Sequence, residues 1–158
     1  MNCQKRILLT GMSGVGKTTI LSMLQDENTI CIDLDETDYI EVDIETKERL
    51  ISIDKLLSYI NSISDKNLIL AVCEANQGQI YPLMSAVIVL TASLEVMKER
   101  INKRQNNNYG KDKEEWEQIV RNKQEIEPLL IRGADYIIQT DGEIHEVFNK
   151  VKLIIDEV

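Results

Sequence analysis

A chain of 158 residues, 43% of them apolar, is long enough for one ordinary hydrophobic core and short for two, so a single domain spanning 1–158 is expected. Its net charge of -9 opposes the phosphate neutralisation on which nucleic-acid binding depends, and no apolar run approaches the roughly 20 residues of a membrane span. Nucleic-acid and membrane partners are therefore not expected. The opening MNCQKRILLTGMSG lacks the longer apolar stretch and small-residue cleavage site of a secretory signal, because Gly11 interrupts the run; a cytoplasmic location follows as an expectation. Cys3, Cys31 and Cys73 have no CxxC spacing and read as free thiols. The lone His145 sits in a late helical pattern away from any nucleophile or ligand partner, which argues against a His-based triad or metal centre.

The first predicted strand, RILLT at 6–10, runs into GMSGVGKTT, which fits GxxxxGK(S/T) with Gly11, Gly16, Lys17 and Thr18 at the defining positions. A loop poor in side-chain bulk can wrap its N–H groups around a di- or triphosphate, and the helix that follows offers its own N-terminal N–H groups to the same anion. ATP is the expected ligand, held by Gly11, Ser13, Gly14, Val15, Gly16, Lys17, Thr18 and Thr19. Lys17 would reach the β- and γ-phosphates and Thr18 would give its hydroxyl to Mg2+.

A second strand, TICID at 29–33, leads into CIDLDE, where Asp33 and Asp35 at i and i+2 fall on one side if the strand runs that far. One carboxylate can order Mg2+ or its waters and the other can orient or deprotonate an acceptor hydroxyl; an acidic turn aided by Glu36 and Asp38 is the plainer alternative. Leu50, Ile53, Leu57 and Ile60 mark a helix. The third strand, NLILAVC at 67–73, ends in Glu74 like a Walker B strand, so Glu74 is expected to face the phosphate loop and hold a magnesium-bound water. Asn76, Gln77 and Gly78 beyond it suit either hydrogen bonding to an acceptor or a plain turn.

After a fourth strand, AVIVLT at 86–91, Ser93 can N-cap a helix carrying Leu94, Met97 and Ile101. Arg100 and Arg104 share a face of that helix at i, i+4, immediately before QNNNYGKDKEE, the polar and core-poor stretch at 105–115. Two arginines beside a mobile cover are what phosphoryl transfer requires, so 105–115 reads as a lid and both arginines as stabilisers of charge on the transferring group. A helix from Trp116 past Ile126, a fifth strand YIIQT at 136–140 and a last helix with the stripe Ile144, Val147, Phe148, Val151 and Ile155 complete the chain.

Strand, phosphate loop, DLD, variable helix, third strand and an RxxxR element before a lid, in this order, resemble the shikimate kinase and nucleoside monophosphate kinase group over nearly the whole chain. The resemblance implies an α/β three-layer sandwich: a five-stranded parallel sheet in the kinase-like order 2-3-1-4-5, helices on both faces and a short lid. EPLLIRGADYIIQT is similar to the RxPLY segment and following AD, strand and Thr of shikimate kinases, which implies that Thr140 and Asp141 lie by the adenine. Ile126, however, takes the place of the arginine that binds the substrate carboxylate there, and VCEANQG stands where a glycine triplet would be expected, so shikimate is not the implied acceptor. The chain looks closer to small ATP-binding kinase-like proteins that share NQG and a YGK lid.

The expected function is Mg2+-ATP-dependent phosphoryl transfer to a small-molecule acceptor, with Lys17, Asp35, Arg100 and Arg104 as catalytic residues and Thr18, Asp33 and Glu74 around the metal. The alternative is a nucleotide-binding regulatory protein or slow ATPase whose lid order is the output. A nucleoside monophosphate acceptor is disfavoured, since Arg49 is the one arginine between residues 36 and 70.

Overall fold

The computed structural model describes residues 4–105 and 107–158; Cys3 lies outside them. Its main sheet is built from β1 (Arg6–Thr10), β2 (Thr29–Asp33), β5 (Asn67–Ala71), β6 (Ala86–Thr91) and β7 (Tyr136–Gln139). They pair in parallel in the spatial order β2-β5-β1-β6-β7, which, counting these five alone, is 2-3-1-4-5. All five sit where apolar runs predict them; the inner strands β5, β1 and β6 bury consecutive residues, as a parallel sheet covered on both faces does, while the edge strand β7 leaves Ile137 exposed. β1 illustrates this: Ile7 and Leu9 pack into the core on one face and Leu8 into the core on the other, all three fully buried. Truncating Leu8 to Ala would cost about 2–5 kcal/mol by the lost transfer energy and the cavity left behind.

One face is covered by α1 (Lys17–Leu24), α3 (Leu94–Lys103), α4 (Lys113–Glu125), α5 (Glu127–Gly133) and α6 (Ile144–Glu157), which contribute Ile20, Met97, Ile101, Ile119, Leu130, Val147 and Val151. The other is covered by α2 (Ile53–Ser62), through Leu56 and Ile60, and by Leu34 and Ile80 from two 3₁₀ turns. Ser93 caps α3 as its position predicts, its hydroxyl accepting from the Val96 N–H at 3.3 Å.

Three expectations need correcting. Leu50 is not part of α2: residues Ile40–Val42 (β3) and Arg49–Ile51 (β4) form an antiparallel hairpin beside the main sheet, and the helix begins only at Ile53. The buried stripe of α2 is therefore Leu56 and Ile60, with Leu57 half-exposed. The third strand ends at Ala71 and the fifth at Gln139. The helix after Trp116 ends at Glu125, and Pro128 in the first turn of α5 marks a second helix rather than a continuation, since proline lacks the N–H that a helix interior needs.

Candidate active site

The five strands bring their carboxyl ends to one edge, where the loops after them enclose a cleft of about 840 Å³ lined by residues 12–20, Asp33, Asp35, Glu36, Arg49, Arg100, Lys103, Arg104 and Thr140. This is the place where an open parallel sheet binds its ligand. Gly11 turns the chain out of β1 with φ 151°, and a Cβ there would overlap the Leu90 carbonyl oxygen and lie 2.9 Å from Val15 Cγ2; no other residue fits. The loop then feeds α1 through Gly16, and the N–H groups of Gly14, Gly16, Lys17 and Thr18 have no hydrogen-bond partner among the described residues. They form a cradle of unsatisfied donors at a helix N-terminus, the electrostatic signature of an anion site.

Lys17 is half-buried and folds back on this loop, its Nζ donating to the carbonyls of Gly11 and Met12, the latter at 3.1 Å. Burial pushes its pKa down, opposed by Cys73, Asp35 and Asp33 nearby, while Arg104 adds to the lowering. The ammonium is thus sheltered, within range of the cleft's carboxylates, and held by carbonyls that an anion can outcompete.

Thr18 donates its hydroxyl to Asp33 Oδ2 at 3.2 Å, and Asp33 Oδ1 accepts from the Asp35 N–H at 3.1 Å as the cap of a 3₁₀ turn, Leu34–Glu36. The strand stops at Asp33, so the two carboxylates are set by this turn rather than by strand alternation. Asp35 pairs with Arg49 at 3.1 Å, and the same guanidinium reaches Glu74 at 3.4 Å through Nε. Burial, then the charge of Asp33, raises the Asp35 pKa; burial, then Asp35, raises that of Glu74, while Arg49 lowers both. Sequence reasoning met Arg49 only as the one arginine between residues 36 and 70 and did not place it beside Asp35 and Glu74. Its place depends on the hairpin, and two three-residue strands leave too short a pattern to read.

No group of three or more His, Cys, Asp or Glu among the described residues is arranged to hold a metal. Mg2+ asks for less: it retains waters and phosphate oxygens and takes one or two protein ligands. The Thr18 hydroxyl and Asp33 carboxylate, hard oxygens at the mouth of the phosphate loop, fit that demand; Glu74 is turned to Arg49.

Arg100 donates through Nη1 to Val15 O at 3.2 Å and Thr140 Oγ1 at 2.8 Å, and through Nη2 to Thr140 O. Buried Thr140 in turn donates to Val15 O at 2.7 Å, so one arginine and one threonine fasten the loop after β7 to the outer side of the phosphate loop. Arg104 donates to Asn107 O at 3.1 Å and Tyr109 O at 2.7 Å, and Lys111 donates to Arg104 O at 2.6 Å. Residues 107–111 therefore wind about Arg104. Gly110, at φ 91° and buried, seats them against Ile101 and Ile119.

Asn76 and Gln77 are committed inside the protein. Asn76 pairs both ways with the backbone of Ile51, each bond 2.9 Å, and so anchors the hairpin. Gln77, 3% exposed, donates to Thr10 Oγ1 and Tyr81 OH and accepts from the Glu74 N–H. Their amides hold the site's frame and are not free for an acceptor. Cys31 and Cys73 are free thiols, and burial pushes Cys31 up to about 11.

This fold, with its phosphate loop after β1, is that of small P-loop kinases such as shikimate kinase. The chain belongs to the AAA domain family, whose pattern matches residues 7–126. A protein of Methanocaldococcus jannaschii named "Putative adenylate kinase" is 35% identical over 107 residues, 63% of this chain and 58% of that protein. One of Methanococcus maripaludis with the same name is 31% identical over 120 residues, 68% of this chain and 61% of that protein. The matched stretch thus spans about three fifths of these relatives. Among solved structures, shikimate kinase from Bacteroides thetaiotaomicron superposes with a TM-score of 0.66 at 18% identity, covering 96% of this chain and 98% of that one. Shikimate kinase from Acinetobacter baumannii, in complex with shikimate, gives 0.64 at 18% identity over 98% and 94%. At that identity the likeness is one of fold.

Proposed function

We propose that the protein is a Mg2+-ATP-dependent phosphotransferase acting on a small-molecule acceptor. The observation that carries this reading is the convergence, at one edge of the sheet, of an unsatisfied N–H cradle with Lys17, the Thr18–Asp33 pair and a second carboxylate, Asp35.

On this reading the phosphates of ATP lie in the cradle and Lys17 exchanges its loop carbonyls for β- and γ-phosphate oxygens. Thr18 and Asp33 hold Mg2+, which when bound offsets the charge of the phosphate chain. Asp35 receives the acceptor hydroxyl's hydrogen bond and its proton; its raised pKa makes it a better base than a surface Asp. The acceptor oxygen bonds to the γ-phosphorus as the bond to the bridging oxygen breaks, and ADP leaves. Arg104 meets the charge spread over the transferring group, with Arg100 bracing the nucleotide side and Thr140 beside the base. The lid at about 105–115 closes over these groups, and the whole acts as one cytoplasmic domain, 1–158, without nucleic-acid or membrane partners.

The curated relatives' names favour a second reading, in which the acceptor is a nucleoside monophosphate. The test of phosphotransfer itself is ADP formation from Mg2+-ATP with and without a pooled metabolite extract. Acceleration by the extract, lost in Lys17→Ala, is expected. The same slow rate with and without extract would instead point to a regulatory nucleotide binder or slow ATPase.

A further inference from the structure

Charge is segregated across the cleft. The half formed by the ends of β1, β6 and β7 carries Lys17, Arg100, Lys103 and Arg104, whereas the half formed by the ends of β2 and β5 carries Asp33, Asp35 and Glu36, with Glu74 behind Arg49. The second half, where an acceptor must lie if ATP fills the phosphate loop, has a single cation among the described residues that line it, Arg49. That cation is already shared, 3.1 Å from Asp35 and 3.4 Å from Glu74. One oxygen of each carboxylate, Asp35 Oδ2 and Glu74 Oε2, accepts nothing from the described residues. The acceptor half is thus short of cations and has acceptor oxygens to spare.

We infer that the acceptor is a hydroxyl compound without a phosphate or carboxylate group: a polyol or an amino alcohol whose O–H or N–H donors are received by Asp35 and Glu74. This rests on the phosphotransfer reading and narrows it. A phosphate or carboxylate on the acceptor would have to take Arg49 from two carboxylates and leave both facing the new anion, and like charges brought together are one means by which a site rejects a ligand. Neutral and cationic hydroxyl compounds leave the Arg49 bridge intact and supply the donors that the two free oxygens lack.

The experiment passes a metabolite extract over an anion exchanger, incubates the unretained and the retained fractions separately with the protein and Mg2+-ATP, and searches each by mass spectrometry for a compound that gains a phosphoryl group. AMP and shikimate serve as defined anionic probes. A phosphorylated product in the unretained fraction, with kcat/KM at least about 100-fold above that for either probe, is expected. A product confined to the retained fraction, or efficient phosphorylation of AMP or shikimate, overturns the inference while leaving phosphotransfer standing. No product in either fraction overturns phosphotransfer itself, and the inference with it.

Discussion

Replacing Arg100 by Ala removes the guanidinium that joins the phosphate loop to the loop after β7. It takes away charge-assisted bonds to Val15 O, Thr140 Oγ1 and Thr140 O and leaves those acceptors, on two buried residues, with fewer donors. A hydrogen bond to a charged group contributes about 1.5–3 kcal/mol, and the set acts on one side chain whose ordering entropy is regained on unfolding, so a net loss of about 2–4 kcal/mol is expected. For a chain of this size that is a fall of roughly 5–15 °C in Tm. Arg104→Ala is the matched control. Its bonds run to exposed carbonyls of its own loop, and its removal should cost under about 1 kcal/mol while slowing phosphotransfer by orders of magnitude. Urea or thermal unfolding of both variants, beside their ATP affinities, separates the two roles. If Arg100→Ala unfolds within about 0.5 kcal/mol of the parent protein, the fastening of the two loops by Arg100 is wrong.

Gly110→Ala places a Cβ 2.5 Å from Ile119 Cδ1 and 3.1 Å from Ile101 Cγ2 at φ 91°, so it should destabilise by about 1–3 kcal/mol and slow transfer together, as read by unfolding and by initial rates. Asp33→Asn should raise the Mg2+ concentration needed for half-maximal rate, whereas Asp35→Asn should lower kcat with little change in ATP affinity; equal effects on Mg2+ dependence alone would remove the acceptor role from Asp35. The pKa of Asp35 is raised in the free protein, so the acid limb of kcat/KM against pH should lie above the ordinary Asp value of about 3.9 and vanish in Asp35→Asn. The linkage has the matching sign: a carboxyl group with a raised folded pKa contributes stability below its unfolded pKa and loses it as pH rises through the folded one, so Asp35→Asn should gain stability relative to the parent above that limb.

The parallel strands and the P-loop were legible because each rests on local pattern: apolar runs, buried along the three inner strands, and a glycine and lysine spacing that a phosphate cradle demands. The hairpin was not. β3 and β4 are three residues each, and most of their residues are exposed or half-buried, so neither burial nor length marks them, and Leu50 fell in with the helical stripe of α2. Arg49, which the hairpin carries to Asp35 and Glu74, was lost with it. Asn76 and Gln77 looked like ligand groups because sequence shows a polar side chain but not the buried backbone or hydroxyl it satisfies, here Ile51 and Thr10. Arg100 and Arg104 do not share a helix face as their spacing predicts: α3 ends at Lys103 and Arg104 is its extended C-cap, so the first is bonded to the phosphate loop and the second to the chain before α4, a distinction that only tertiary packing makes.

The central claim is that the γ-phosphoryl group goes to a second molecule. ATP labelled in that group, incubated with the protein, Mg2+ and a metabolite extract, tests it most directly through the partition of label between organic phosphate ester and inorganic phosphate. Label accumulating in an acid-stable ester with the parent protein, and not with Asp35→Asn, is the predicted result; label appearing as inorganic phosphate at the same rate with and without extract would contradict the account.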